Sequence, residues 1–310
     1  MKLTVGTRGS RLSRMQTEKF LDDLKQKYPD LEYELRTIKT LGDTERTKPL
    51  FTIDSQGIFE KEIDKALLNG EVDFAVASLK DVPTVEAADT VVAAIPKRAS
   101  PCDVLISKDK IQLKTLRKGA TIGTGSLRRL AQVKLLRPDL DVRPIRGNVD
   151  TRIQKVRKGE VDGIIVAEAG LERMELTDQI TERFPVDVFP SAPGQGALAI
   201  VTRKDDEETQ KFLQVMEHAQ TRAEVTAERS LMLQLGGGCR VPIAAVGKAD
   251  SQALTLRGVL FALDGQSKIE ASEKGTIGKA EELGKKVAKI LVKQGAKEIE
   301  SKWREKYGPW

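Results

Sequence analysis

The sequence predicts an α/β protein of two similar lobes followed by a small α+β unit. Three observations carry that prediction. Apolar runs at 72–77 and 161–167 sit between helical patterns, as strands covered on both faces of an α/β sheet do. The tetrapeptide Gly70-Glu71-Val72-Asp73 recurs as Gly159-Glu160-Val161-Asp162, each time between a helix pattern and one of those runs. From about residue 221 the texture changes to a long helix pattern, alternating strands and further helices. At 310 residues the chain also exceeds one ordinary core and implies two or three domains.

In chain order, residues 2–6 read as a strand and Thr7-Arg8-Gly9-Ser10 as the loop after it. A helix is expected over about 13–27, with Met15, Phe20, Leu21 and Leu24 on its apolar side. Leu31, Tyr33 and Leu35 alternate as a strand. Phe59, Ile63, Ala66 and Leu67 mark a helix that Asn69-Gly70 stops, and the strand 72–77 follows. The second lobe is expected to repeat the scheme. Ile122 to Arg129 reads as strand, loop and helix, 142–145 as a strand, and Val149, Ile153 and Val156 as a helix ended by Gly159 before the strand 161–167. Beyond it a helix over 223–235 runs into glycines, and alternating strands extend through 254–262 to an Asp264-Gly265 turn signal. A helix with Ala280, Leu283, Val287, Ile290 and Leu291 on one face ends at Gly295, and a charged helix closes the chain.

Composition narrows function. Hydrophobic residues make up 39%, enough for globular packing, yet no apolar run is long enough to span a bilayer. No charged stretch precedes an apolar core at the N-terminus, so a cytoplasmic location is expected. Two distant cysteines, Cys102 and Cys239, form neither a disulfide framework nor a zinc pattern. The single histidine, His218, argues against a His-based metal site or a Ser-His-Asp triad; no metal is expected, and proton transfer falls on Asp, Glu or Lys. His218 reads as structural and Cys102 as incidental. The net charge of +6 fits nucleic acid or a small polyanion. Nucleic acid would favour a basic helix or stripe with aromatic partners, and only 4% of the residues are aromatic, which favours the polyanion.

The arginines sit where anions bind. Arg128 and Arg129 open a helix after Gly123-Thr124-Gly125-Ser126, and cations there oppose the helix dipole unless an anion is present. Neither a P-loop nor a dinucleotide fingerprint is formed. Arg146-Gly147-Asn148, with Arg152 one turn on, and Arg8-Gly9-Ser10 repeat the arrangement at other strand ends. Guanidinium forks at such junctions suit a compact, multiply anionic ligand. Asp81 follows the strand 72–77 beside Lys80, and Pro83 restricts Val82 to extended geometry, so a carboxylate stands at the sheet's carboxyl edge. It reads either as a loop cap or ion pair, or as a group that steadies a cation and shuttles a proton. Cys239 lies behind three glycines and, from the local sequence, reads either as a buried inert thiol beside a helix-ending glycine or as a functional sulfur.

These pieces together resemble the porphobilinogen deaminase (hydroxymethylbilane synthase) family over nearly the whole chain. The blocks are Thr7-Arg8-Gly9-Ser10 with Gln16, Gly57-Ile58-Phe59-Glu60-Lys61-Glu62, Ser78-Leu79-Lys80-Asp81-Val82-Pro83, residues 122–129, Arg146-Gly147-Asn148-Val149-Asp150-Thr151-Arg152, Pro193-Gly194-Gln195-Gly196-Ala197, and Gly237-Gly238-Cys239-Arg240-Val241-Pro242-Ile243. The chain departs from the family at Ala77 (usually His), Gln56 (Lys), Leu41 (Arg), Gly125 (Ser) and Pro193 (Val).

The resemblance implies two lobes like type II periplasmic binding proteins and a third domain: 1–97 with 194–216, 102–190, and 219–310. It implies a transferase that condenses four porphobilinogen molecules, with loss of ammonia, onto a dipyrromethane primer held by a thioether at Cys239. Hydrolysis then releases a linear tetrapyrrole. Asp81 is implied as the catalytic residue. Ser78, Lys80, Asp81, Thr124, Ser126, Arg128, Arg129, Arg146 and Gly147 are implied to hold the cofactor. Arg8, Ser10, Gln16, Phe59, Lys61, Arg152, Arg173 and Gln195 are implied to bind substrate. A monomer without nucleic-acid or membrane partners is expected. The alternative is a non-catalytic cytosolic polyanion-binding protein of the same fold.

Overall fold

The structure is a computed structural model describing residues 2–41, 60–84, 89–236, 242–263, 265 and 267–307. The chain starts with β1 (Lys2–Arg8), whose alternate buried residues Leu3 and Val5 face the core. Ser10 then caps α1 (Arg11–Lys27), its Oγ accepting the Ser13 N–H. β2 (Glu32–Ile38) returns parallel to β1. The helix α2 (Lys61–Leu68) leads through Asn69-Gly70 into β3 (Phe74–Ser78), parallel to β1, and β4 (Thr90–Ala94) follows.

After a first crossing the chain builds a second sheet. It comprises β5 (Asp103–Ser107), β6 (Thr121–Gly123), α3 (Leu127–Leu136), β7 (Asp141–Arg143), α4 (Val149–Arg157), β8 (Gly163–Ala167), α5 (Glu168–Arg173) and β9 (Glu182–Phe184). A second crossing brings β10 (Leu198–Arg203) back between β3 and β4, antiparallel to both. The orders are β2-β1-β3-β10-β4 and β7-β6-β8-β5-β9. Each sheet is covered on both faces. Phe20, Leu21 and Leu24 of α1 pack on one side of the first and Ile63 and Leu67 of α2 on the other, with an equivalent pair of clusters around the second.

After α6 (Glu207–Leu213), α7 (Ala219–Gln234) opens the C-terminal unit. Its sheet is β11 (Ile243–Asp250), β12 (Ala253–Phe261) and β13 (Lys268–Thr276), all antiparallel, with α8 (Ala280–Lys293) and α9 (Ala296–Tyr307) completing it. His218 caps α7, its Nδ1 accepting the Thr221 N–H. Asp264 of the expected turn lies outside the described residues; β12 and β13 are neighbours as that turn requires.

The fold class is as expected, with corrections in detail. β4, β5, β9 and β10 are not among the strands read from the sequence, because they are the antiparallel members whose partners come from distant parts of the chain. The helix expected from Phe59 begins at Lys61, and Phe59 is outside the described residues.

The crossings are tightly held. A Cβ on Gly196 would stand 2.6 Å from the carbonyl oxygens of Ala99 and Ser100, so only glycine fits where the two crossings pass. Glu228 of α7, fully buried, accepts from Arg98 on the first crossing (2.7 Å), Gly194 N–H on the second (2.7 Å) and Gly247 N–H of β11 (2.8 Å). Burial disfavours the Arg98 charge, but Glu228 outweighs it and raises the Arg98 pKa. One carboxylate thus ties both crossings to the C-terminal unit.

Candidate active site

A cleft of about 310 Å³ opens at the carboxyl ends of β1, β3, β6 and β8, the edge where open α/β sheets take their ligands. The first lobe contributes Arg8 from the end of β1, Ser10 from the α1 cap, and Ser78, Lys80 and Asp81 from the end of β3. Leu79–Asp81 form a single 3₁₀ turn, and Val82 is extended as the following proline demands. Arg229 of α7 pins that exit, donating to the carbonyls of Val82 (3.0 Å) and Pro83 (2.7 Å). The second lobe contributes Ser126, Arg128 and Arg129 at the start of α3, Arg146 and Gly147 before α4, Arg152 on α4 and Arg173 on α5. Gln195 comes from the second crossing.

Asp81 is the only acid among the described residues lining the cleft, against seven cations: Arg8, Lys80, Arg128, Arg129, Arg146, Arg152 and Arg173. The charge balance shows in the ionisation of the walls. Burial, followed by the positive charges of Arg129 and Arg146, lowers Arg152 to about 10, with Asp81 opposing. Burial also lowers Arg173 to about 10. Burial and then Arg129 lower Lys80 to about 8, against the pull of Asp81 and Asp103. A set of crowded, partly desolvated cations suits a ligand that brings several negative charges.

Arg128 and Arg129 already have an anion. Asp103, fully buried at the head of β5, meets Arg128 Nη2 and Arg129 Nη2 at 2.7 Å each, and Gln195 donates to it at 3.0 Å. Burial opposes its charge, yet the two guanidiniums hold Asp103 below the usual carboxylate range. The counter-charge that the sequence reading sought in a ligand is therefore supplied first by the chain itself. The pair still edges the cleft.

Other expected residues stand behind the wall. Gln16 is buried and accepts from Ser78 Oγ and Arg173 Nη1, each at 3.3 Å, so it braces both lobes. Thr124 is buried, its Oγ1 accepting the Ser126 N–H at 3.2 Å. Lys61 is exposed at the start of α2 and does not line the cleft. Phe59 and Cys239 lie outside the described residues. Sequence reasoning missed Met232 of α7 and Ile243 of β11, which form an apolar part of the lining, and Asp103, whose signal was a lone acid heading an apolar run. No group of acids, histidines and cysteines among the described residues could hold a metal ion, and no described helix is long and apolar enough to cross a membrane.

Comparison with known proteins matches residues 3–211 to a family model described as porphobilinogen deaminase, dipyromethane cofactor binding domain, and residues 222–293 to the C-terminal domain of the same enzyme. The chain belongs to the porphobilinogen deaminase family. It is 44% identical over 310 residues to the probable porphobilinogen deaminase of Nitrosopumilus maritimus, covering 100% of this chain and 99% of that one. It is also 44% identical over 299 residues to the porphobilinogen deaminase of Thermus thermophilus, covering 96% and 97%. Among solved structures it is similar to the methionine-binding protein MetQ at a TM-score of 0.43 and 15% identity, covering 69% of this chain and 89% of that one. Membership of the family makes the chain a transferase of tetrapyrrole biosynthesis with a dipyrromethane cofactor. The cleft fits that cofactor chemically, since its described lining offers many cations and one acid to a polycarboxylate.

Proposed function

We propose that the chain is a cytoplasmic, monomeric hydroxymethylbilane synthase that condenses four porphobilinogen molecules, with loss of ammonia, on a primer attached to Cys239. The observation that carries this reading is Asp81, the one carboxylate of the described lining, standing in a cleft of cations drawn from both lobes. Bound dipyrromethane would supply the nucleophilic terminal carbon to which each new pyrrole is added. Arg146, Arg152, Arg173, Arg8 and Lys80 hold acetate and propionate groups and fix the rings by charge-assisted contacts. Asp81 accepts pyrrole N–H groups and steadies the positive charge left on porphobilinogen when ammonia departs. It then helps remove the proton from the attacking carbon. Met232 and Ile243 support the attachment point, since they line the cleft from either side of Cys239 in the sequence.

Intact-protein mass tests the reading. The protein should be heavier than its sequence by one dipyrromethane, and the Cys239→Ser protein should lack that increment. Asp81→Asn should keep the increment and lose about 10²–10⁴ in turnover. A bare wild-type protein after incubation with porphobilinogen, or near-normal turnover by Asp81→Asn, would remove the proposal.

A further inference from the structure

The described lining of the cleft carries one acid, Asp81, and a second acid is buried at the start of a helix beside that edge. Glu60 stands at the start of α2 and is only 3% exposed. Its place follows from topology. α2 reaches β3 through the short Asn69-Gly70 turn and so runs antiparallel to it. The first turn of α2 therefore lies at the carboxyl end of β3 and of its parallel neighbour β1, the edge that carries Asp81 and Arg8. Positions 60, 63 and 67 follow helical spacing along one stripe, and Ile63 and Leu67 pack on Ala75, Ala77 and Leu79. An acid thus occupies the inward stripe of a helix where an apolar side chain belongs. Burial in such a place favours the neutral form of a carboxyl group.

We propose that Glu60 is a positioning residue for Asp81, a proton-holding neutral acid behind the cleft wall that adds no negative charge to that of Asp81 while the carboxylates of the substrate enter. The inference rests on the reading of Asp81 as the working carboxylate. The charges acting on Glu60 agree with it. Burial raises its pKa to about 8, the negative charges of Asp81 and then Asp64 add to the rise, and Arg8 opposes them. Asp64 is itself raised by burial, with a hydrogen bond from Thr90 pulling the other way. Lys80 lies beside Asp81, and Lys61 and Glu62 follow on the same helix.

Above about pH 8 Glu60 ionises, a second negative charge faces the incoming carboxylates, and KM rises. Lys80 loses its charge over the same range and adds to the rise. The wild-type plot of log(kcat/KM) against pH should therefore fall more steeply above about pH 8 than that of Glu60→Gln, which keeps only the Lys80 contribution. Difference infrared spectra of the holoenzyme supply a readout that needs no turnover. The wild type should show the carbonyl stretch of a protonated carboxylic acid at about pH 7 that fades at about pH 9, and Glu60→Gln should lack it. Glu60→Val, which completes the apolar stripe, serves where the glutamine variant does not fold and should give the same two results. A carboxylic-acid band that survives in either variant, or an unchanged slope, overturns the assignment. If the dipyrromethane mass increment and the Asp81→Asn loss both hold while the band survives, Glu60 alone is misassigned and the reading of the cleft stands.

Discussion

In the first lobe the strands lie β2-β1-β3-β10-β4, in the second β7-β6-β8-β5-β9, and the pairing directions match strand for strand. The glycine and the aspartate of the repeated Gly-Glu-Val-Asp play the same backbone parts in both. Gly70 (φ 68°) and Gly159 (φ 73°) turn the chain out of α2 and α4 in the left-handed region that glycine adopts without strain. Asp73 exchanges two hydrogen bonds with the Thr4 backbone, its N–H to the carbonyl at 2.8 Å and its Oδ2 from the N–H at 2.7 Å. Asp162 does the same with Thr121 at 2.9 and 2.7 Å. The lobes part company at the other end of these strands. β3 runs into the Leu79–Asp81 turn and leaves Asp81 on the cleft wall. β8 runs into α5, and its acid, Glu168, is fully buried in an ion pair with Arg183 and a hydrogen bond from Ser100. One frame, used twice, places an acid near the end of each central strand, and the counter-charges around it decide whether that acid is available to a ligand.

The largest expected effect comes from breaking the internal pairing in the second lobe. Asp103→Ala leaves Arg128 and Arg129 buried without their shared anion. Removing one partner of such a group costs about 3–5 kcal/mol, read as a lowered urea midpoint. A loss below about 1 kcal/mol would show that these arginines are held mainly by other acceptors, such as the carbonyls of Pro190 and Ile165.

The first lobe's own cation gives the next effect. Lys80 is depressed to about 8, so its charge is present below that pH and lost above it. Affinity for a small polycarboxylate, measured by calorimetry, should weaken as pH rises through about 8, by about 1.5–3 kcal/mol for one charge-assisted contact. Lys80→Arg should remove its part of that decline, because a guanidinium stays charged throughout. An identical decline in the variant would place the titrating group elsewhere.

What the sequence showed follows the range of the interactions. The tetrapeptide repeat was legible because helix, turn and strand are consecutive, so burial pattern and glycine signal coincide within a dozen residues. The antiparallel strands were not, since β10 pairs with residues more than a hundred positions away. The arginine pair was visible but its partner was not. Asp103 stands 26 residues before Arg129, and only its place at the head of Val104, Leu105 and Ile106 hinted that a buried acid needed a cation. Glu60 gave a similar hint, an acid in register with Ile63 and Leu67. The apolar lining by Met232 and Ile243 left none, because an apolar side chain reads the same in a core and in a cleft.

The repeat itself can be tested lobe against lobe. Asp73→Ala and Asp162→Ala each leave a strand N–H without its acceptor, and each should cost about 1–3 kcal/mol. The ladder is the same, so the two losses should agree within about 0.5 kcal/mol. Each aspartate also has a cation near it, Asp162 the mostly exposed Arg117 at 3.1 Å and Asp73 Arg203 at 4.0 Å, and neither adds much. A loss confined to one lobe would mean that the two copies share a shape without sharing a function.

The smallest effect lies at an exposed ion pair between the two lobes. Arg11 opens α1 and Asp150 lies in the first turn of α4, with Nη1 and Oδ1 3.1 Å apart. Both side chains are about half exposed, so a double-mutant cycle should give a coupling of only about 0.2–1 kcal/mol, weaker at high salt. The single variants should not be equal. Arg11 opposes the dipole of its helix, so Arg11→Ala relieves a mild strain while losing the pair. Asp150 favours the dipole of its own, so Asp150→Ala loses both, with a difference of about 0.3–1 kcal/mol. Equal single losses would mean that the helix ends are already neutralised by water or neighbours. A coupling well above about 1 kcal/mol would mean that this exposed pair holds the two lobes together more firmly than its exposure allows.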